Sequence, residues 1–449
     1  MPPSHEPCFV SKATCPHCWA SFDPADVLWI SSHPELLDDP RLGPDEQLRF
    51  LPSVFNAAGE ALDLRDAPCR ALACPNCHLA IPRAVIEHDP LFVSILGTPS
   101  CGKSYYLAAL TWQMRQLLPK QFGISFSDAD PALNLALTEC EKRLFLNESP
   151  GKVIALDRLI VKTELTGERY SLVYDGDRAT RFLRPYLFTM RVNEKHPNAS
   201  RADELSRLLV LYDNAGEHFM PGREETNAPV TQHLAKSQLL MYLFDPTQDP
   251  RFRRLYESGK PATALMNLRS ERQDMVLREA AVRIRRLLGL GAAQKHRKPL
   301  IVILTKCDTW GSLVGDDLSQ EPWLIKDGLA GIDRNRIAKR SHLLRKLLEK
   351  TCPEFVVAAD EFAETVQFVP VSALGRTPSP LKDSKLDRNI AAMRPQDIRP
   401  QGVLVPLLAA INDAVPGLTL GVVRHAKETP VLLDGKTDGQ SIPVGKLRT

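Results

Sequence analysis

The sequence predicts an α/β protein in which a mostly parallel central sheet is flanked by helices and preceded by a small cysteine-bearing module. Three observations carry this. Short apolar runs at 91–96, 208–212, 239–244, 299–304 and 366–371 have the length and composition of buried strands. Stretches of helical spacing separate several of them, as crossovers between parallel strands require. Two Cys-Pro-x-Cys turns, Cys15–Cys18 and Cys74–Cys77, stand ahead of the first run.

At 449 residues the chain is long for one ordinary domain. Hydrophobic content of 43% and charged content of 25% are those of a soluble globular protein and exclude a disordered or fibrous class. A formal net charge of +3 is small for this size, so global charge does not point to nucleic acid and leaves only a local basic patch open. The first residues lack the charged and apolar regions of a secretory signal, and no apolar run approaches a membrane span, so a cytoplasmic location is the default expectation. Six of the ten cysteines (Cys8, Cys15, Cys18, Cys69, Cys74 and Cys77) precede residue 80. In a reducing compartment such clustering favours metal over disulfides.

Residues 1–88 are read as the N-terminal module. Each Cys-Pro-x-Cys places two thiolates on one tight turn, and two such turns make the tetrahedral S₄ site that Zn²⁺ accepts. The candidate ligands are Cys15, Cys18, Cys74 and Cys77, and the pair resembles a zinc ribbon. Its gap is unusual, because 56 positions separate Cys18 from Cys74 where ribbons have about 15–20. The insert, 23–68, reads as helical fragments and Pro/Gly/Asp turns. The competing readings are redox dithiols, which need one C-x-x-C at a helix start, and unrelated buried cysteines. Cys8, Cys69, His17 and His78 are spare ligands or bystanders. The short connection 79–90 seats the module directly on the second unit.

Residues 89–425 form that second unit. The run 91–96 ends in Gly97-Thr98-Pro99-Ser100-Cys101-Gly102-Lys103-Ser104, which fits G-x-x-x-x-G-K-[ST], and 105–118 continues as a helix. Strand, glycine loop and helix are in the order of a phosphate cradle, with backbone amides and the helix N-terminus facing the anion. Gly97, Ser100, Cys101, Gly102 and Tyr105 belong to the binding set, Lys103 reaches the β/γ-phosphates, and Ser104 holds Mg²⁺. The plain alternative is an ordinary glycine turn before a helix. Next come a helix at 128–148, ended by Ser149-Pro150-Gly151, and strand-like segments 159–165 and 170–174 around a turn at 166–169. A strand at 186–192 precedes the run 208–212, which delivers Asp213-Asn214-Ala215-Gly216-Glu217. A carboxylate there holds Mg²⁺, and the Gly216 amide meets a γ-phosphate.

The run 239–244 and a charged helical region, 266–288, lead to the run 299–304 and to Thr305-Lys306-Cys307-Asp308. An aspartate here accepts the N1–H and 2-amino donors of guanine, which adenine lacks, while the Lys306 stem packs on the base. After 366–371, Ser372-Ala373-Leu374 is a small turn able to offer amides to guanine O6. The basic amphipathic segment 340–350 is read as a helix packing its leucines on the sheet, 377–401 as a surface insertion, 403–415 as a closing helix and 426–449 as a loosely held tail.

Taken in order, these four motifs resemble G1, G3, G4 and G5 of the translation-factor and Ras-like (TRAFAC) class of P-loop GTPases, over roughly residues 91–418. With the N-terminal ribbon the chain is also similar to bacterial double-GTPase proteins of conflict and defence systems. The resemblance implies a P-loop GTPase fold, GTP/GDP with Mg²⁺ as cofactors, and Lys103, Glu217 and His218 as the catalytic set. There are departures. Lys103 and Asp213 lie 110 positions apart, so the switch I region holds an insertion, within which Thr180 is the candidate Mg²⁺ threonine. Thr305 stands where asparagine is commoner, and Glu217 where glutamine positions water. An ionised glutamate donates no hydrogen bond, so hydrolysis would be slow, use His218 or need a partner. Arg178, Arg181, Arg184 and Arg223 are candidates for an internal finger, or simply surface charge. The expectation is a GTP-hydrolysing switch whose zinc module passes the change to a protein partner or nucleic acid. The alternatives are a non-hydrolysing GTP-binding scaffold and a zinc-ribbon nucleic-acid binder regulated by GTP.

Overall fold

Seven strands build the central sheet: β1 (Asp89–Gly97), β2 (Ile124–Asp128), β3 (Tyr186–Val192), β4 (Arg207–Asp213), β5 (Leu239–Phe244), β6 (Leu300–Leu304) and β7 (Val366–Pro370). The computed structural model describes residues 9–160, 170–214, 219, 232–257, 272–383, 388–423 and 431–433. The strand order is β2-β3-β4-β1-β5-β6-β7. From β4 through β7 every neighbouring pair is parallel, while β2 and β3 add antiparallel pairs at one edge. β5 and β6 are buried at every position, as strands covered on both faces must be. Edge strand β2 alternates instead, with Ser125 and Ser127 exposed.

Alternation along each strand divides the core into two layers. Leu239, Met241 and Leu243 face α1 (Lys103–Leu117), α2 (Pro131–Phe145) and, later in the chain, the helix Val405–Ala414. Leu240, Tyr242 and Phe244 face α3 (Gln273–Leu288), α4 (Arg334–Thr351) and α5 (Pro353–Phe362). Among the described residues no helix longer than five residues covers the β4 end of that second face, which the short helices Ala84–Glu87 and Gln232–Lys236 only border. Phe92, Leu208, Val210 and Tyr212 pack there against Trp19, Phe22, Val27 and Leu72, so the N-terminal module serves as the missing layer. In sequence the chain runs from β1 to one side and then, from β5, to the other. The strand order therefore reverses at β1, and the crevice outside its carboxyl end is where open α/β sheets bind ligands.

Several local expectations are corrected. The insert 23–68 holds short strands, Leu28–Ile30, Arg49–Phe50 and Ala61–Leu62, and a single 3₁₀ turn in place of helical fragments. Asp39, Asn56 and Asp63 each accept backbone N–H groups two to four residues on, and such side-chain turns compete with helix. Residues up to Asp128 belong to β2, and α2 starts only at Pro131, where the Asp130 carboxylate caps the amides of Ala132 and Leu133. The strand Tyr170–Asp175 pairs forward with Arg178–Leu183 across Gly176-Asp177, while residues 156–159 form a helical turn. Residues 161–169 lie outside the described set. The 377–401 insertion contains a hairpin, Ser379–Asp383 with Arg388–Met393, to which Ile154–Ala155 adds a third strand. Beyond it, Val431–Leu433 pairs with Leu420–Val423.

The turn after β7 leaves no room for a side chain. Gly375 has φ +71°, and a Cβ there would meet the Arg399 carbonyl at 1.6 Å. Gly375→Ala is expected to destabilise the chain by at least ~2 kcal/mol, since a left-handed non-glycine residue alone costs roughly 1–2. Urea unfolding measures it, and an unchanged midpoint would show that the turn relaxes freely.

Candidate functional site

The phosphate loop leaves β1 at Gly97, which is level with Leu243 of β5. A Cβ at Gly97 would meet the Leu243 carbonyl at 2.7 Å and the Cys101 sulfur at 2.8 Å, so only glycine lets the strands stay in register. Gly102 has φ +97° with no protein atom near its would-be Cβ, so there the glycine supplies backbone conformation. Ser100, at φ +63°, is a second left-handed residue in the same turn. The Lys103 amine donates to the Gly97 carbonyl (2.8 Å) and the Thr98 carbonyl (3.0 Å), folded back over the loop. Ser104 lies in the first turn of α1 and is part-buried. Beneath the loop Cys101 is fully buried, and burial pushes its thiol pKa up. Tyr105 turns away and donates its hydroxyl to the Leu156 carbonyl at 2.5 Å.

Asp213, the last residue of β4, pairs with Ile95 of β1 and is 5% exposed. Asn214 locks this register, its backbone and side-chain N–H groups both donating to the Ile95 carbonyl at 3.3 and 3.1 Å. A carboxylate is thereby held at the β1 edge from which the phosphate loop emerges. Asp213 and Ser104, if they held Mg²⁺ as the sequence leads one to expect, would offer it the oxygen donors it prefers. Gly216, Glu217, His218 and Arg223 lie outside the described residues. Thr180 sits opposite Val173, in the hairpin whose apolar face packs on the cysteine module, and Arg184 donates to the Ser171 hydroxyl at 3.0 Å.

The two segments expected from the sequence to read the base meet directly. The Ser372 hydroxyl donates to Asp308 Oδ1 at 2.5 Å, and Thr377 reaches Oδ2 at 3.0 Å. The Cys307 amide bonds the Val371 carbonyl, and Ser372 pairs both ways with Gln401, so the turn is pinned from two sides. Burial pushes the Cys307 thiol up to about 12. Ala373 packs partly buried on the core. Thr305 donates its amide to the Phe244 carbonyl and accepts from Trp310 Nε1 at 2.8 Å. Lys306, in the left-handed region at φ +58°, lays its amine 2.5 Å from the carboxylate of Asp245.

Asp245 is among the residues that sequence reasoning missed. It follows β5 directly, is 0% exposed, and caps Thr247 through its amide and hydroxyl. Its backbone N–H and C=O are both taken by the side-chain amide of Gln273, at 2.9 and 2.8 Å. Thr98 of the phosphate loop donates to Gln248 at 3.2 Å and lies 3.4 Å from Gln273, and Gln248 donates to the Pro99 carbonyl. One buried polar network thus joins the phosphate loop to Lys306. The aspartate after an apolar strand was a visible signal; the glutamines and Thr377 carried none.

In the N-terminal module the sulfur atoms of Cys15, Cys18, Cys74 and Cys77 all lie within 4.8 Å of one another. Cys15 and Cys77 are 3.8 Å apart, and Cys18 and Cys74 3.7 Å. A tetrahedron with Zn–S of about 2.3 Å has edges of about 3.8 Å, whereas a disulfide would need about 2.05 Å. The two turns are copies of each other. Cys15 accepts the His17 amide and Cys74 that of Asn76, while Trp19 and His78, one residue past each turn, both have positive φ. Hydrogen bonds from the other three thiols hold Cys18 far below the ordinary thiol range, while burial raises Cys15. His17 bonds the Ala80 carbonyl, His78 bonds Asp39, and Cys69 packs beside Asp63, so none of these is a ligand. Trp19 Nε1 donates to the Tyr212 hydroxyl (2.9 Å), which donates to the Pro16 carbonyl (2.5 Å). The cluster is therefore tied to the residue preceding Asp213.

No family model matches the chain. A curated Mycolicibacterium smegmatis protein named "Putative ESX-1 scaffolding and assembly protein SaeC" is 22% identical over 282 residues, which are 57% of this chain and 65% of that protein. The chain thus spans just under two thirds of that relative's length. Among solved structures, a point variant of Era from Aquifex aeolicus bound to GDP and AlF₄⁻ aligns with 63% of this chain and 50% of its own, at 14% identity and a TM-score of 0.20. The Ski7 GTPase-like domain of S. cerevisiae, bound to GTP, aligns with 64% of this chain and 44% of its own, at 14% identity and a TM-score of 0.22. At such scores neither likeness bears on the fold. Among the described residues no helix is long and apolar enough to cross a membrane.

The S₄ geometry fits Zn²⁺, with a direct consequence. Purified protein is expected to carry about one zinc per chain by elemental analysis, and Cys18→Ser with Cys74→Ser to carry almost none. The double variant should also melt earlier, because Trp19 and Pro16 hold Tyr212 only while the turns keep their shape. Zinc-free wild type with an unshifted midpoint would refute the assignment.

Proposed function

We propose that the protein binds GTP with Mg²⁺ and hydrolyses it as a regulatory switch, slowly or in response to a partner. One observation carries this reading. Asp308, oriented by Ser372 and Thr377, lies two residues from Lys306, whose amine is joined through Asp245 and Gln273 to Thr98 of the glycine loop, at the sheet's reversal point.

Arrival of the triphosphate draws the Lys103 amine off the Gly97 and Thr98 carbonyls, where it stands in for the anion's neighbours, and onto the β/γ-oxygens. The loop amides and the α1 N-terminus then face phosphate. Ser104 and Asp213 would hold Mg²⁺, which when bound neutralises charge on the phosphate oxygens. Asp308 accepts from guanine N1–H and the 2-amino group, and the Ser372 hydroxyl keeps its carboxylate in that plane. Water attacks the γ-phosphorus in line, with Gly216, Glu217 and His218 as the groups nearest in sequence to that step.

A second reading, a GTP-binding scaffold with negligible turnover, is favoured by Glu217, which cannot orient water by donating when ionised. The scaffolding role in the name of the M. smegmatis relative points the same way. A role in a bacterial conflict system rests on the motif resemblance alone, and nucleic-acid binding on the zinc module's type.

Nucleotide affinity and phosphate release measured on one sample separate these readings. Lys103→Ala is expected to lose both. Asp308→Ala should weaken GTP by at least ~100-fold while leaving ATP unchanged, since each hydrogen bond to a charged group is worth roughly 1.5–3 kcal/mol. Equal loss for both nucleotides would sink guanine reading at Asp308, and tight GTP binding without phosphate release would favour the scaffold.

A further inference from the structure

A cleft of about 580 Å³ opens away from the nucleotide site, between the C-terminal half of α2, the segment 147–153 and the hairpin Ser379–Asp383 with Arg388–Met393. Its floor is apolar and open to solvent. Leu146 is 61% exposed, Val153 48% and Leu381 38%. Leu381 and Ile390 are cross-strand partners that both line the cleft, so one face of the hairpin forms its wall.

Around that floor stand Lys142, Arg143, Lys152 and Arg158, none of which has a carboxylate partner among the described residues. Among the described residues lining the cleft, Glu139 and Glu148 are the acidic groups that oppose them. Elsewhere on this surface arginines are routinely matched, as Arg251 is by Asp249 and Glu354, or Arg345 by Asp360. Lys142 and Arg143 lie in the last turn of α2, where a helix dipole favours cations. That does not account for Lys152 and Arg158, which belong to other elements.

We propose that this cleft docks a short acidic amphipathic segment of a partner protein, its apolar side chains on the Leu146–Val153–Leu381 floor and its carboxylates against the basic rim. Charge complementarity selects the acidic class, and the floor selects a peptide over nucleic acid. Stacking of bases needs aromatic faces, and among the described residues none that lines this cleft is aromatic; nearby, Trp112 and Phe145 are stacked on each other. The volume lies within the range of roughly 300–1,000 Å³ found for ligand pockets. The cleft also adjoins the phosphate loop's helix, for Arg158 lies in the turn Leu156–Leu159, whose first carbonyl takes the Tyr105 hydroxyl.

The test uses the full chain and a labelled synthetic helix-forming peptide with leucines on one face and glutamates on the other. Three comparators accompany it: the same peptide with Leu→Ser, with Glu→Lys, and a single-stranded oligonucleotide of equal charge. By fluorescence anisotropy the first probe should bind wild type at least tenfold more tightly than every comparator. Combined Lys142→Gln, Arg143→Gln and Lys152→Glu should weaken it at least tenfold, with GTP affinity unchanged and the melting midpoint lowered by no more than the few degrees that loss of two cations from the end of α2 costs. Equal binding of the Leu→Ser peptide, indifference to the combined substitutions, or preference for the oligonucleotide would overturn the proposal. Because GTP affinity is read separately, loss of the nucleotide reading leaves this result interpretable.

Discussion

The candidate site depends on how the buried carboxylate of Asp245 is satisfied. It is wholly removed from water and has Lys306 as its counterion and Thr247 as a second donor. Leaving such a group without its partner costs about 3–5 kcal/mol, so β5, the Thr305–Asp308 segment and the start of α3 are held in one arrangement. Gln273 continues the constraint by bonding both backbone groups of Asp245 and approaching Thr98. Lys306 and Thr98 of the glycine loop are thus the two ends of one polar chain.

A different device steadies the opposite flank. Among the described residues the face of β4 has no long helix, and the cysteine module closes it with Trp19 and Phe22 above Tyr212 and Val210. His233 shares this aromatic cluster, its ring 4.8 Å from that of Tyr212 and 6.0 Å from Trp19, and burial lowers its pKa to about 3. The imidazole is therefore neutral at physiological pH and packs as an aromatic. The S₄ cluster lies on the turns whose Pro16 carbonyl and Trp19 indole grip Tyr212, one residue before Asp213.

Much of the site was legible because its pieces are short and local. Gly97–Ser104, Asp213, Thr305–Asp308 and Ser372 each carry their own constraint, a glycine conformation or a strand end, within a few residues. What stayed hidden depends on contacts between distant segments. Thr98 and Gln248 are 150 positions apart, and Asp308 and Thr377 are 69 apart. A glutamine has no pattern that announces a buried role, and Thr377 lay in a stretch whose Pro and charged residues read as surface. The helical expectation for 23–68 failed for a local reason instead, since its Asp and Asn side chains capture nearby amides.

The amino-acid order alone determined that strands alternate with helices, that a glycine-bearing loop succeeds β1, and that four thiols come in two like turns. Those features arise from spacing and residue type within single segments, which chain geometry enforces before any packing occurs. Only the tertiary structure decided that the two turns bring their sulfurs within 4.8 Å, that Ser372 reaches Asp308, and that Asp245 rather than a motif residue balances Lys306. Each is a meeting of segments whose separation in sequence says nothing of their distance in space, settled by sheet register and by the need to satisfy buried charge.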